Sequence, residues 1–140
     1  MGILIVDDST DDRLLIQSIL ANAGYEETFG AESAAAAFRL LGLAGPRQMT
    51  GRVDLILMDI VMPATNGIEA CRQIKAVERY RDIPIIMVTV KTDPVDLQLA
   101  FAAGAIDYVA KPISKIELLT RVRCVLRLVH EIERRRAREQ

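Results

Sequence analysis

Tryptophan is absent from the 140-residue sequence, which contains only two cysteines and one histidine. Cys71 and Cys124 lie far apart without CxxC spacing, and together with His130 they provide too few ligands for a structural zinc site. We expect both cysteines to be reduced and to act as small apolar side chains. A fold that depends on zinc or on disulfides is therefore disfavoured.

The chain also lacks a long apolar run and an excess of charge of either sign. No segment reaches the ~18 apolar residues that would span a bilayer, and no basic region precedes an apolar run as in a signal peptide. Lys and Arg number 18 and Asp and Glu number 19, so the net charge is -1, which gives no general attraction to nucleic acid or membrane. We expect one domain in the cytoplasm, with a core of its own.

Short apolar runs alternate with segments of helical spacing along the chain. Continuous runs of this kind are typical of strands that are buried on both faces. Strands are predicted over residues 3–6, 25–29, 53–58, 83–90 and 106–110. Helices are predicted over residues 10–23, 33–41, 68–77, 95–103 and 114–136. The alternation predicts an α/β fold of the (βα)5 type, with a parallel five-stranded sheet and helices on both faces.

The first helix is predicted to begin after Ser9, which can cap it. Asp11 and Asp12 fall in its first turn, where carboxylates favour the helix dipole, so we assign them no part in the chemistry. Leu14, Leu15, Ile19 and Leu20 repeat at helical spacing, and Gly24 is expected to end the helix.

Polar side chains follow the ends of the predicted strands. Asp7 and Asp8 follow the first strand, Asp59 follows the third, Thr89 lies near the end of the fourth, and Lys111 follows the fifth. Ligands of open parallel sheets bind outside the carboxyl ends of the strands, where the strand order reverses. If the first and third strands are neighbours at that point, the three aspartates share one pocket, with Thr89 and Lys111 close by.

This set of residues indicates phosphoryl transfer. Three carboxylates together need a cation, and oxygen ligands suit Mg²⁺ or Mn²⁺. A carboxylate can act as a nucleophile and form an acyl phosphate. Asp59 is the candidate nucleophile because it stands alone at a strand end, whereas Asp7 and Asp8 are suited to hold the metal. Lys111 adds positive charge, and Thr89 could donate its hydroxyl to a phosphoryl oxygen.

Five motifs carry a resemblance to a known family. They are VDD (6–8), LILMDIVMP (55–63), Gly67, PIIMVT (84–89) and GAIDYVAKP (104–112). With these motifs the chain resembles the response-regulator receiver domains of bacterial two-component signalling, over roughly residues 2–126. The resemblance implies a doubly wound, flavodoxin-like sheet of order 2-1-3-4-5, with a receiver domain over residues 1–126 and a helical extension over residues 127–140.

The resemblance also implies an acceptor and a metal site. Asp59 would be phosphorylated by a sensor histidine kinase or a phosphotransfer protein. Asp7, Asp8, Asp59 and the backbone carbonyl of Val61 would bind Mg²⁺ or Mn²⁺. Such a domain catalyses its own phosphorylation and dephosphorylation and is not a turnover enzyme.

The remaining implied roles concern the response to phosphorylation. Lys111 would pair with the phosphoryl group, and Thr89 would be the switch hydroxyl. Tyr108 would swing inward when Thr89 moves. The bond between Lys111 and Pro112 would be cis.

The predicted last helix is longer than a compact domain needs. Val122, Val125, Val129 and Ile132 are spaced three, four and three residues apart, as in a short coiled-coil seam. One alternative is that this face packs on the sheet, which we favour for Val122 and Val125. Val129 and Ile132 lie further out and need another partner, so we assign Val125, Val129 and Ile132 to a homodimer or linker surface.

The segment ERRRAREQ at the C-terminus allows two interpretations. Its arginines could contact nucleic-acid phosphates, but glutamates dilute the charge and no aromatic residues accompany it. We favour a helical stalk that leads to an effector such as a diguanylate cyclase or a histidine kinase, which these residues do not contain. We expect no direct contact with nucleic acid or membrane.

Three other functions remain as alternatives. A phosphatase or mutase of the haloacid-dehalogenase type needs a second aspartate two residues after the nucleophile, where this chain has Val61. A flavin-binding domain needs a phosphate-binding loop after the first strand, where residues 9–12 are too acidic. A receiver-like scaffold that is not phosphorylated is disfavoured by the intact acidic set and Lys111.

Overall fold

Five parallel strands form the centre of the structure, a computed structural model that describes residues 1–139. The strands are β1 (Ile3–Val6), β2 (Thr28–Ala31), β3 (Leu55–Met58), β4 (Ile85–Thr89) and β5 (Asp107–Ala110). Their order is β2-β1-β3-β4-β5, and Val6 pairs with both Ala31 and Met58. The strand order reverses between β1 and β3, and the ends of these two strands are level. The predicted fold class is confirmed.

Five helices cover the sheet. They are α1 (Thr10–Asn22), α2 (Ala34–Leu41), α3 (Gly67–Ala76), α4 (Pro94–Ala103) and α5 (Lys115–Glu139). The side chains of Ser9, Ser33 and Asn66 cap α1, α2 and α3 by accepting a backbone N–H from the first turn. Gly42 and Gly104 end α2 and α4 in the left-handed conformation, which glycine adopts without strain.

The sheet separates two apolar cores, because successive strand residues point to opposite faces. In β1, Leu4 and Val6 face the core beneath α2, α3 and α4, whereas Ile3 and Ile5 face the core beneath α1 and α5. All four of these side chains are buried. Burial on both faces explains why the central strands β1, β3 and β4 are almost continuously apolar.

The structure shows which apolar residues of α1 are buried and where the two cysteines lie. Of the four apolar residues at helical spacing in α1, Ile19 and Leu20 are buried, together with Ile16, whereas Leu14 and Leu15 are exposed. The buried face of α1 therefore begins at Ile16. Both cysteines are free, Cys71 buried in the core and Cys124 exposed on α5.

Two local elements also differ from the prediction. β2 begins at Thr28 rather than Tyr25, because the Tyr25 N–H donates to the Leu20 carbonyl in the turn that closes α1. A short 3₁₀ turn at Glu78–Tyr80 was not predicted. Its buried Tyr80 donates its hydroxyl to the Leu41 carbonyl at 2.6 Å, which ties this turn to α2.

The last helix leaves the core near Leu126 and continues to Glu139, a total length of roughly 37 Å. Val125 is only 5% exposed and packs in the core beneath α1 and α5, so its assignment to a dimer surface is wrong and the sheet-packing alternative is correct there. Val129 is half-buried and Ile132 is exposed. Gln140, the end of the predicted extension, lies outside the described residues.

Two ion pairs link the outer part of α5 to the body of the domain. Arg52 contacts Glu133 at 2.8 Å, and Arg136 contacts Asp82 at 3.3 Å. All four side chains are largely exposed, so each pair contributes little to stability. Within residues 1–139, none of the helices has the length and apolar character to cross a bilayer.

Candidate functional site

Asp7 and Asp59 lie at the carboxyl ends of two adjacent strands. The Asp7 N–H donates to the Ala31 carbonyl at 3.0 Å, and the Asp59 N–H donates to the Val6 carbonyl at 2.9 Å. These bonds continue the strand pairing one residue beyond β1 and β3. They hold both backbones in place, and both side chains are buried.

Lys111 joins the two aspartates and a third carboxylate. Its Nζ lies 2.8 Å from Asp7 Oδ2, 2.9 Å from Asp59 Oδ2 and 2.7 Å from Asp12 Oδ2. An ammonium has three N–H donors, so each donor has one carboxylate. The Lys111 backbone N–H donates to the Thr89 carbonyl at 2.9 Å, which holds the lysine beside the last residue of β4.

The other carboxylate oxygens accept backbone hydrogen bonds. Asp7 Oδ1 accepts the Ser9 N–H at 2.9 Å, and Asp59 Oδ1 accepts the Val61 N–H at 3.0 Å. The Arg13 guanidinium donates to the Asp7 carbonyl at 2.6 Å. Both buried carboxylates are therefore fixed at both oxygens.

Asp8 completes a group that could hold a cation. Asp7, Asp8 and Asp59 each offer one carboxylate oxygen, and these three atoms lie within 4.8 Å of one another. Asp8 is exposed, whereas the other two side chains are buried. A donor set made only of oxygen, open to water on one side, fits Mg²⁺ or Mn²⁺, which keep several water ligands.

The site stabilises the charged form of Lys111 but not that of Asp7, as the directions of their pKa shifts show. Burial raises the pKa of Asp7, although its hydrogen bonds to Lys111 and Ser9 act in the opposite direction. Burial alone would lower the pKa of Lys111, but its hydrogen bonds to Asp12, Asp7 and Asp59 raise it above its usual value. The Lys111 ammonium is stabilised by three carboxylates, whereas these three carboxylates are stabilised by one and the same ammonium.

The proposed switch residues lie on β4 and β5. Thr89 is fully buried, and its hydroxyl oxygen accepts the Lys91 N–H at 3.1 Å. Tyr108 is half-buried, and its ring packs edge-on against Phe101 with centroids 6.4 Å apart. The roles of both residues stay predictions.

The loops on either side of Asp59 and Lys111 approach the site closely. The bond between Lys111 and Pro112 is cis. A side chain on Gly67 would collide with the carbonyl oxygen of Asp59. Ala64 has a φ of 68°, in the left-handed region that favours glycine. The chain between Asp59 and α3 is therefore tightly constrained.

The structure brings Asp7, Asp8, Asp59 and Lys111 together, but it also adds Asp12, which we had assigned to the helix dipole alone. Asp12 does lie in the first turn of α1, yet its side chain reaches Lys111. Spacing alone indicated only a helix start at this position. The assignment of Asp12 to a role outside the site is therefore wrong, because its carboxylate contacts Lys111.

Comparison with known proteins gives the same picture from sequence and from structure. Residues 3–123 match the response regulator receiver domain family. The DNA-binding response regulator MtrA of Mycolicibacterium smegmatis is 37% identical over 125 residues, which make up 89% of this chain and 50% of MtrA. The phosphate regulon transcriptional regulatory protein PhoB of Pseudomonas aeruginosa is 40% identical over 125 residues, or 89% of this chain and 51% of PhoB. The chain spans about half the length of these curated relatives.

Solved structures show the same similarity over nearly the whole fold. The chemotaxis protein CheY4 of Vibrio cholerae has a TM-score of 0.79 at 30% identity, covering 89% of this chain and 97% of that one. The receiver domain of a signal transduction histidine kinase from Syntrophus aciditrophicus has a TM-score of 0.76 at 34% identity, covering 89% of both chains.

Proposed function

We propose, because the chain belongs to the response regulator receiver domain family, that Asp59 accepts a phosphoryl group in a reaction that depends on Mg²⁺ or Mn²⁺. The chain is a receiver domain of a two-component response regulator, so the proposed donor is a sensor histidine kinase or a phosphotransfer protein. The observation that carries the proposal is the shared ammonium of Lys111, which lies within 2.9 Å of both Asp7 and Asp59 at the end of the sheet.

The proposed transfer exchanges one bond to phosphorus for another. A carboxylate oxygen of Asp59 attacks the phosphorus of a phosphohistidine, the P–N bond breaks as the P–O bond forms, and the departing imidazole nitrogen takes a proton from water. Lys111 donates to a phosphoryl oxygen, where negative charge is concentrated in the transition state. The phosphoryl group of the donor therefore ends on a carboxylate of this chain.

Asp7, Asp8 and Asp59, with the backbone carbonyl of Val61, would hold the cation. When bound, a divalent ion offsets the repulsion among the carboxylates and stabilises the charge on the phosphoryl oxygens. The closeness of the three carboxylate oxygens, with the Asp8 side exposed to water, supports this part of the proposal.

The proposed switch transmits phosphorylation from Asp59 to the face formed by α4 and β5. The Thr89 hydroxyl leaves the Lys91 N–H and donates to a phosphoryl oxygen. Tyr108 then moves inward from its edge contact with Phe101. Two features support this sequence: Thr89 is fully buried at the end of β4, and β4 pairs directly with β5, which carries Tyr108.

We assign Val129 and Ile132 to a homodimer or linker surface that leads to an effector domain. Ile132 remains 41% exposed on a helix that continues beyond the core. Sedimentation with and without a phosphoryl mimic tests this assignment, with Ile132→Asp as the variant. We expect the mimic to promote dimerisation of the parent and not of the variant. A parent that stays monomeric in both states would contradict it.

Binding of beryllofluoride, a phosphoryl mimic, tests the acceptor site. Calorimetry in saturating Mg²⁺ should show binding to the parent and to Asp11→Asn, a control that removes one exposed carboxylate of α1. Asp59→Asn should not bind, because its neutral amide lacks the anionic carboxylate oxygen that joins beryllium. Equal binding by Asp59→Asn would show that Asp59 is not the acceptor.

A further inference from the structure

We propose that Asp12 is a positioning residue of the phosphoacceptor site. Its carboxylate competes with the phosphoryl group for an N–H of Lys111, so that the chain favours the metal-bound, unphosphorylated state more than it would without this carboxylate. The inference rests on the proposed role of Asp59 and adds a residue that tunes the reaction at that site.

Asp12 contacts Lys111 as closely as Asp7 and Asp59 do. The distance from Asp12 Oδ2 to Lys111 Nζ is 2.7 Å, compared with 2.8 Å to Asp7 and 2.9 Å to Asp59. The Asp12 side chain is 33% exposed and the Lys111 side chain is 12% exposed, so the pair is largely removed from solvent. This ion pair is therefore better shielded than those of the outer α5 helix.

The local structure explains why Asp12 is free to reach Lys111. With Ser9 as the N-cap, Asp12 occupies the third helical position, whose acidic side chain in a capping box bonds back to the N-cap N–H. That N–H is already taken by Asp7 Oδ1 at 2.9 Å. The backbone half of the cap remains, because the Asp12 N–H donates to Ser9 Oγ at 3.2 Å. The Asp12 carboxylate is thus left for Lys111.

The donors of Lys111 are fully used before any phosphoryl group arrives. Its three N–H groups are shared among Asp7, Asp12 and Asp59. A phosphoryl oxygen on Asp59 can therefore gain a lysine hydrogen bond only if one carboxylate gives up its own. Asp12 competes for this donor.

The charge count leads to the same conclusion. Four carboxylates and one ammonium, those of Asp7, Asp8, Asp12, Asp59 and Lys111, give a formal charge of -3. A divalent ion leaves one negative charge uncompensated, and without Asp12 the balance with that ion would be neutral. Asp12 therefore favours binding of the cation and opposes binding of an anionic phosphoryl group.

The substitution Asp12→Asn should shift the two binding constants in opposite directions. The dissociation constant for Mg²⁺ should rise by about threefold to tenfold, because a nearby negative charge is lost. The dissociation constant for beryllofluoride at saturating Mg²⁺ should fall by about the same factor, because Lys111 is released. A general loss of structure would weaken both.

Asp11→Asn is the matched control, since it removes the same charge from the neighbouring residue of the same turn, which is exposed. It should change either constant by less than about twofold. Equal effects of the two substitutions, or shifts of both constants in one direction for Asp12→Asn, would overturn the role of Asp12. If the parent and Asp59→Asn bind beryllofluoride alike, the proposed function itself fails, and the inference fails with it. If binding depends on Asp59 but Asp12→Asn leaves it unchanged, only the role of Asp12 fails.

Discussion

Replacing Gly67 by alanine should displace Asp59, because two backbone segments touch where the methyl group would lie. A Cβ on Gly67 would be 2.0 Å from the Asp59 carbonyl oxygen and 2.9 Å from Ile60 Cα. Ordinary contacts of a Cβ atom begin at 3.4 Å, so the backbone must move by about 1.4 Å to accept the methyl group. Both collisions are with backbone, which cannot rotate away as a side chain can.

The expected cost has two parts. Forcing a methyl group into a filled space costs about 1–3 kcal/mol. The movement also strains the hydrogen bond from the Gly67 N–H to the Ile60 carbonyl, which is 2.8 Å long and contributes about 1 kcal/mol. We expect the free energy of unfolding to fall by about 2–4 kcal/mol. Phosphorylation of the folded protein should slow by about 10- to 100-fold, since a displacement of ~1 Å at a reacting group has effects of that size.

Urea denaturation and phosphorylation by acetyl phosphate measure the two effects separately. Gly30→Ala is the control, because a Cβ there would meet its nearest atom, the amide nitrogen of Gln17, at 3.6 Å. It should change stability by less than about 0.5 kcal/mol. If Gly67→Ala is as stable and as readily phosphorylated as Gly30→Ala, the close contact with Asp59 is not a constraint on the site.

Four further predictions concern the pKa of Asp7, the metal site, the backbone at Ala64 and the outer part of α5. Burial raises the pKa of Asp7 above its ordinary value of 3.8, so the folded chain binds this proton more tightly than the unfolded chain does. Stability should therefore fall as pH rises from the unfolded pKa through the folded pKa. In EDTA, Asp7→Asn should raise the Tm at neutral pH and remove this fall of Tm with pH. Mg²⁺ at 100 times its Kd should raise the free energy of unfolding of the parent by about 2.7 kcal/mol, and its Tm with it. The rise should be much smaller in Asp8→Asn. Ala64→Gly should add about 0.5–1 kcal/mol in urea denaturation by relieving the left-handed conformation, and an unchanged midpoint would argue against strain there. Glu133→Gln should change stability by less than about 0.5 kcal/mol, because its ion pair with Arg52 is exposed, and a larger loss would mean that the outer part of α5 is firmly docked.

The fold is predictable from the sequence because the signals for it are local. The continuous apolar run Ile3–Val6 requires a strand that is buried on both faces, and the structure covers it on both sides. The position of Asp7 and Asp59 at strand ends then brings them together once β1 and β3 are neighbours. The family resemblance supplied the strand order, which spacing alone leaves open.

What sequence reasoning missed depends on competition between contacts that are distant in the chain. The reach of Asp12 to Lys111 depends on Asp7 having taken the Ser9 N–H, and no local pattern reveals that. The same applies to Val125, whose seam-like spacing suits a coiled coil and a sheet-packing helix equally well. Its burial was decided by where α5 meets the core.

The most direct test of the account is to locate the phosphoryl group after incubation with acetyl phosphate and Mg²⁺, using proteolysis and mass spectrometry. The account predicts a modification on the peptide that contains Asp59, and its loss both in EDTA and in Asp59→Asn. Phosphorylation of Asp59→Asn to the level of the parent, or a modification of Asp59 that proceeds equally well in EDTA, would contradict a metal-dependent acceptor at the end of β3.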